Sequence, residues 1–306
     1  MKSNIKSLGW FVRFVPPSNE LSRFYQETLE FPFVRAGDVQ AVDFFWAGEA
    51  LILELIYVDG KAPQAEPDPG TATLVPYYRV QDLQAVISRY EQKGVNVIAA
   101  QDHYHGKQAF LVDPNGQLIG LRERDKHSAL AHDQEARRRR ERGEAFNPGC
   151  AHMPEGVQEL GWVVRRVQDL KKQARFYRDV VGLPLIGEEY GHCLFELGDN
   201  VVLELAPGGH VHELPKNRTD EPNTIILRLH QVRPMLDKLK KNNVPIVHDL
   251  IQWDRGALSY FADPEGNLVG IEEKYHPSRY APDQVPFSED LEAERRWREL
   301  PGPITF

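Results

Sequence analysis

Two glutamates stand among residues that argue against a charge. Glu54 lies in the apolar run 51–57 and Glu204 in the run 201–206, and a carboxylate buried there without a partner is costly. Each therefore needs a cation, a metal or a proton donor, and each is a candidate catalytic group, as general base or as an oxygen ligand. Arg13, Arg165, Arg79 and Arg228 lie in comparable apolar runs. A guanidinium from any of them could reach a glutamate across a shared pocket, as a structural ion pair or as a bidentate grip on a substrate carboxylate. Structural pairing is the expectation for Arg13 and Arg165, and ligand binding for Arg79 and Arg228.

Imidazole is the other group in this chain suited to acid–base or metal chemistry near neutral pH. His103 and His105 flank Tyr104, and at that spacing on an extended strand both point to one face, where they could bind a ligand or a metal. The plainer reading is a pair of solvated loop histidines, and the same holds for His210 and His212 in a Gly-rich stretch. His192 precedes Glu204 with Tyr190 close by, so it could reach the same pocket. Trp10 and Trp162 could floor a pocket for a flat or apolar ligand by stacking. They serve equally well as core residues, since Leu8, Trp10, Val12 and Phe14 make a satisfactory apolar face. A Gly-rich phosphate loop, a nucleophile elbow and a defensible Ser/His/Asp set are all missing from the sequence, so kinase, dehydrogenase and hydrolase readings have no support.

What positions these residues is an internal duplication. Leu8-Gly9-Trp10-Phe11-Val12-Arg13 recurs as Leu160-Gly161-Trp162-Val163-Val164-Arg165, and Arg23-Phe24-Tyr25 as Arg175-Phe176-Tyr177. Leu53-Glu54-Leu55 recurs as Leu203-Glu204-Leu205, and Asp113-Pro114-Asn115-Gly116 as Asp263-Pro264-Glu265-Gly266, each about 150 residues downstream. Within each repeat the pattern predicts a strand (8–15; 160–167), a helix (19–29; 169–180) and two strands ending near Tyr57 and Ala206. A loop (59–71; 207–223) leads to a strand (73–80; 224–230), a helix (82–93; 231–242) and three short strands, the last two flanking the Asp-Pro-x-Gly turn. Each repeat thus holds two βαβββ units. Segments with Glu/Arg spacing around Asp133–Arg139 and Asp290–Arg296 predict solvated helices after each repeat.

The expected organisation is α+β: a first domain over 1–125, a helical linker over 126–157, a second domain over 158–275 and a C-terminal helical extension over 276–306. A composition of 41% apolar and 27% charged residues suits soluble globular domains, and a net charge of −8 argues against nucleic acid or anionic lipid as partner. Only Cys150 and Cys193 occur, too few for a disulfide framework, and no apolar run is long enough to span a bilayer. A cytoplasmic protein, monomer or homodimer, is expected.

Val167-Gln168-Asp169-Leu170, Phe176-Tyr177, Gly182-Leu183, Leu203-Glu204-Leu205 and Asp263-Pro264-Glu265-Gly266-Asn267, with their first-repeat counterparts, carry a resemblance to the vicinal oxygen chelate superfamily of glyoxalases, bleomycin-resistance proteins and extradiol dioxygenases. The resemblance covers about 8–124 and 160–274 and implies tandem paired modules forming curved mixed sheets, each a cup around a small-molecule pocket. It also implies metal ligands, His or Glu, on the first, fourth, fifth and last strands, holding iron, nickel, zinc or manganese. Here Trp10 and Trp162 stand at the first position, Val75 and Thr224 at the third, and Gly120 and Gly270 at the last; only Glu54 and Glu204 match. One carboxylate per cup leaves the standard metal site missing. The expected function is therefore metal-free binding of a small organic molecule. The alternative is a lyase, isomerase or ring-cleaving dioxygenase using Glu54 or Glu204 with a nearby histidine, as general base or in an atypical divalent-metal site.

Overall fold

The computed structural model describes residues 4–36, 42–47, 51–58, 68–103, 106–124, 142, 153–154, 156–198, 201–253 and 256–274. The segments expected to be helical around Asp133–Arg139 and Asp290–Arg296 lie outside them, as do Cys150 and His105. Four βαβββ modules follow one another along the chain. The first holds β1 (Ile5–Val15), β2 (Phe33–Ala36), β3 (Val42–Trp46) and β4 (Ile52–Tyr57). The second holds β5 (Leu74–Val80), β6 (Asn96–His103), β7 (Gly106–Val112) and β8 (Leu118–Arg124). The third holds β9 (Val157–Val167), β10 (Leu185–Glu189), β11 (His192–Glu196) and β12 (Val202–Pro207). The fourth holds β13 (Asn223–Leu229), β14 (Ile246–Trp253), β15 (Gly256–Ala262) and β16 (Leu268–Lys274).

One helix follows the first strand of each module. The first and third helices, α1 (Asn19–Arg23) and α3 (Leu170–Arg175), widen into π-helical turns over Phe24–Thr28 and Phe176–Val181. The second and fourth, α2 (Leu83–Gln92) and α4 (Val232–Lys241), are regular. The helix starts follow from side-chain caps: Ser18, Asp82 and Asp169 each accept a bond from a backbone N–H of the first turn. In α2 the buried residues are Leu83, Val86, Ile87 and Tyr90, and in α4 Val232, Met235, Leu236 and Leu239, one apolar stripe each.

The strands form two curved eight-stranded sheets, neither closed into a barrel. Sheet I runs β14-β15-β16-β13-β1-β4-β3-β2 and sheet II runs β10-β11-β12-β9-β5-β8-β7-β6. Each sheet thus takes half its strands from each repeat. The joins are antiparallel, β1 to β13 and β5 to β9, with Trp10 opposite Ile226 and Tyr77 opposite Trp162. The outer faces of both sheets share one apolar cluster with the helices, including Phe11, Tyr25, Tyr78, Val163 and Leu227. The inner face of sheet I carries its own cluster around Trp10, Phe44, Ile226 and Tyr260, and that of sheet II another around Tyr77, Phe110, Trp162 and Leu194. Alternation along β1 sends Trp10, Val12 and Phe14 inward and Phe11, Arg13 and Val15 outward.

Two arginines bind the sheets to one another. Arg13, on β1 of sheet I, donates to Asp113 at 2.7 Å and to the Leu118 carbonyl at 2.5 Å, both at the β7–β8 turn of sheet II. Arg165, on β9 of sheet II, repeats this with Asp263 at 3.4 Å, the Leu268 carbonyl at 3.2 Å and the Tyr177 hydroxyl at 2.6 Å. Each aspartate divides its oxygens. In Asp113 one accepts the backbone N–H groups of Asn115 and Gln117, and in Asp263 one accepts those of Glu265 and Asn267. The Asp-Pro-x-Gly turn is therefore a socket for the other sheet's arginine, and Gly116 and Gly266, at φ +77° and +85°, close it.

Candidate functional site

Among the described residues, each inner face carries a group of charged side chains. On sheet II, Glu204 of β12 is 1% exposed, and its two oxygens are held separately. Arg122 of β8 donates to one at 2.8 Å, and Nδ1 of His192 on β11 lies 2.9 Å from the other. Arg122 also donates to Gln108 at 3.2 Å, and its guanidinium lies over the Tyr77 ring at 4.4 Å and the Trp162 ring at 5.1 Å. Arg79 pairs with Glu159 at 3.0 Å and lies over Trp162 at 4.6 Å. A carboxylate in this apolar floor thus has its counter-charge, and each guanidinium is desolvated against aromatic rings that favour it. Burial pushes the Tyr77 phenol up to about 12, against the lowering effect of Arg122.

On sheet I, Glu54 of β4 is partly buried, with Phe44 and Val12 as its neighbours on the adjoining strands. Arg228 of β13 donates to Glu272 of β16 at 3.1 Å, and Lys274 lies 3.8 Å from the same carboxylate and over the Trp10 ring at 5.5 Å. Phe44 packs against Trp10 at 5.8 Å. Burial pushes Tyr260 up to about 12; Arg218, hydrogen-bonded to it, opposes the rise, and the charge of Glu54 adds to it.

Several expectations need correction. The guanidinium on Glu204 comes from the last strand of the second module, not from a first- or fifth-strand arginine. Arg13 and Arg165 stand in structural ion pairs, the role the sequence reading gave them, but their partners are Asp113 and Asp263 at the turns of the opposite sheet rather than a glutamate across the cup, because strand parity turns them outward. Arg79, for which ligand binding was the expectation, is 2% exposed in its pair with Glu159. Trp162 is fully buried under two guanidinium groups, so its ring packs as core in this conformation. His103 ends β6 in backbone only; its side chain and all of His105 lie outside the described residues. Arg122, Glu159, Gln108, Glu272, Lys274 and Arg218 were not singled out from sequence. Arg122 and Glu272 had a usable signal, since each stands two residues past the glycine of the last-ligand position and so on the same strand face.

The family's metal can be tested against these side chains. Tyr77 lies over Gly120, where a Cβ would come within 2.3 Å of its ring. Tyr260 and Ile226 crowd Gly270 in the same way, at 3.0 and 2.8 Å from a Cβ. The position of the last metal ligand is thus filled by aromatic and apolar atoms in both cups. Among the described residues there is no group of three or more His, Cys, Asp or Glu side chains able to hold a metal ion. The residues present do not fit the family's metal.

Four βαβββ modules joined into two cup-shaped sheets define the glyoxalase type of fold. The chain belongs to the Glyoxalase/Bleomycin resistance protein/Dioxygenase superfamily, whose sequence profile matches residues 7–121 and 159–271. Among solved structures it is similar to glyoxalase I from Zea mays, at 17% identity and TM-score 0.62, covering 87% of this chain and 92% of that one. It is also similar to a Bacillus subtilis protein provisionally designated a dioxygenase, at 14% identity and TM-score 0.60, covering 98% of each chain. At these identities the likeness concerns the fold. No curated protein matches the sequence.

Proposed function

We propose that the protein binds a small organic molecule in a cup of one or both sheets without the family's metal. The observation that carries this reading is the filling of the last-ligand position by Tyr77 over Gly120 and by Tyr260 and Ile226 over Gly270. Sheet I supports the binding half of the reading, because its apolar inner face has partly exposed Trp46, Glu54, Arg228 and Lys274 around it. An apolar concavity with a few convergent polar groups is the usual make-up of a small-molecule site. Net charge and composition favour a cytoplasmic setting and no nucleic-acid partner; no described helix is long and apolar enough to cross a membrane. Thermal denaturation against a panel of flat aromatic compounds, with and without EDTA, tests the reading. The expected result is a concentration-dependent rise in Tm that EDTA leaves unchanged. Stabilisation that EDTA abolishes would contradict it.

A second reading is favoured by one contact. His192 Nδ1 lies 2.9 Å from a Glu204 carboxylate oxygen, a histidine–carboxylate pairing of the kind that orients a general base. His192 keeps 19% of its side chain exposed while Glu204 is 1% exposed. Such a site supports metal-free proton transfer, as in a lyase or isomerase. Its signature is exchange of acidic C–H protons of a bound carbonyl compound into deuterated water, followed by NMR and lost in His192→Gln. Equal exchange by the wild type and the variant would remove this reading.

A further inference from the structure

In the second repeat the chain passes from sheet II to sheet I through the segment 208–222, between β12 and β13. Both ends of that crossing are fastened to one place. At its leading end the His212 N–H donates to the Glu265 carbonyl at 2.8 Å, and the carbonyls of His212 and Glu213 press on Gly266, where a Cβ would come within 2.8 and 3.1 Å of them. At its trailing end the Glu221 carboxylate accepts the Leu268 N–H at 3.0 Å. The anchors are thus the β15–β16 turn and the residue that opens β16, beside the socket that holds Arg165. Between them Asp220 accepts the backbone N–H groups of Lys216 and Asn217 at 2.7 and 2.9 Å, and Arg218 bonds the Tyr260 hydroxyl on the inner face of sheet I.

The two anchors answer a proton in opposite ways. His212 is half-buried, and its Nε2 has no exposed surface and, among the described residues, no hydrogen-bond partner. Its ring lies against that of His210, with 4.2 Å between centroids. A neutral imidazole can turn an unused lone pair to that place, whereas an imidazolium must put an N–H there with nothing to receive it, beside a second ring that charges over the same pH range. The groups facing the ring are His210 on its own segment, Arg165 on β9 and Asp263 at the turn. Burial, then His210 and Arg165, hold it below the usual imidazole value, and Asp263 alone opposes them. Glu221 is lifted by burial from 4.5 to about 7, with Arg165 and the Leu268 N–H opposing and Asp263 and Asp220 adding. A base held below its ordinary 6.5 weakens its own anchor as pH falls through that value, while a carboxyl held at about 7 is kept better as pH falls.

We propose that the segment 208–222 is an acid-released strap: a proton on His212 frees its leading end from the β15–β16 turn, Glu221 keeps its trailing end on Leu268, and the contact of Arg218 with the sheet I cup loosens. The device joins a titrating contact on the outer side of the sheets to a residue on an inner face. It goes beyond small-molecule binding and holds whether or not that cup takes a ligand.

Residue-resolved amide exchange on the full chain, followed by NMR and corrected for the intrinsic rate, tests the strap at two N–H groups. Between about pH 7.5 and about pH 5.5, protection of the His212 N–H is expected to fall severalfold, about tenfold being the most that one imidazole can supply over that range, while protection of the Leu268 N–H does not fall. His212→Gln, which keeps a polar side chain and takes no proton, should remove the fall at position 212. In the wild type the His212 ring, followed by its own NMR titration, should take its proton below 6.5. The ring titration and the comparison of the two amides need no variant, so a poorly folding His212→Gln leaves the test intact. Equal loss at both amides would show general loosening and overturn the strap. So would an unchanged His212 amide, a fall that survives His212→Gln, or a ring that titrates at or above 6.5.

Discussion

At the scale of single residues, the two buried carboxylates on the floor of sheet II, Glu159 and Glu204, each have an arginine, and two positions elsewhere give independent checks on that kind of reasoning. Gln173 on α3 is fully buried, and among the described residues neither its amide nitrogen nor its carbonyl oxygen has a hydrogen-bond partner. The first repeat has Leu21 at the matching place, also fully buried. Gln173→Leu should therefore raise stability by about 1–2 kcal/mol, read as a higher urea midpoint at unchanged slope; a lowered midpoint would show that the amide is satisfied. Glu221, whose carboxylate accepts the Leu268 N–H at 3.0 Å, is lifted by burial from 4.5 to about 7, with Arg165 opposing. A carboxyl whose folded pKa is raised stabilises the fold most below its unfolded pKa, and that contribution is lost as pH climbs through the folded value. Between pH 4.5 and 7 the wild type should lose stability relative to Glu221→Gln, and parallel pH profiles for the two would refute the shift. The sequence made Glu54 and Glu204 legible as candidates because a carboxylate in an apolar run is anomalous. Arg122 was marked only by its place two residues past Gly120 on the same strand face, and its pairing with Glu204 follows from the order of strands in the sheet, which local spacing does not report.

At the scale of elements, the Asp-Pro-x-Gly turns do more than reverse the chain. Their aspartates hold a buried arginine from the opposite sheet, so Arg13→Met or Asp263→Asn leaves one charge of a buried pair behind. Each should cost about 3–5 kcal/mol, measured by chemical denaturation. A loss below 1 kcal/mol would show that these pairs do not tie the sheets together. The turn itself was readable from Pro and Gly, and the helices from their caps and apolar stripes. The socket was not, since the arginine lies 100 residues from Asp113 and 98 from Asp263. The last-ligand glycines are a second case: sequence gave Gly120 and Gly270 as missing ligands, while the structure gives the reason in the Tyr77 ring over the one and Tyr260 and Ile226 over the other.

At the scale of the whole molecule, the repeat pattern read from sequence is a pattern of chain, and the sheets follow a different division. Because β1 joins β13 and β5 joins β9, each cup is completed only when the two repeats meet. Residues 1–150 and 151–306 expressed as separate chains should accordingly associate one to one when mixed, seen by sedimentation. Two fragments that each remain folded monomers would contradict that sharing of sheets. No pattern of local spacing reports which of two equivalent edges a strand will choose, so the partition of cups between repeats had to come from the fold. The central claim, metal-free binding in a cup whose last-ligand position is occupied by aromatic and apolar side chains, is tested most directly by elemental mass spectrometry of untagged protein purified without chelator. The account expects iron, manganese, nickel and zinc all far below one per chain. One equivalent of any of them, lost on Glu54→Gln or Glu204→Gln, would contradict it.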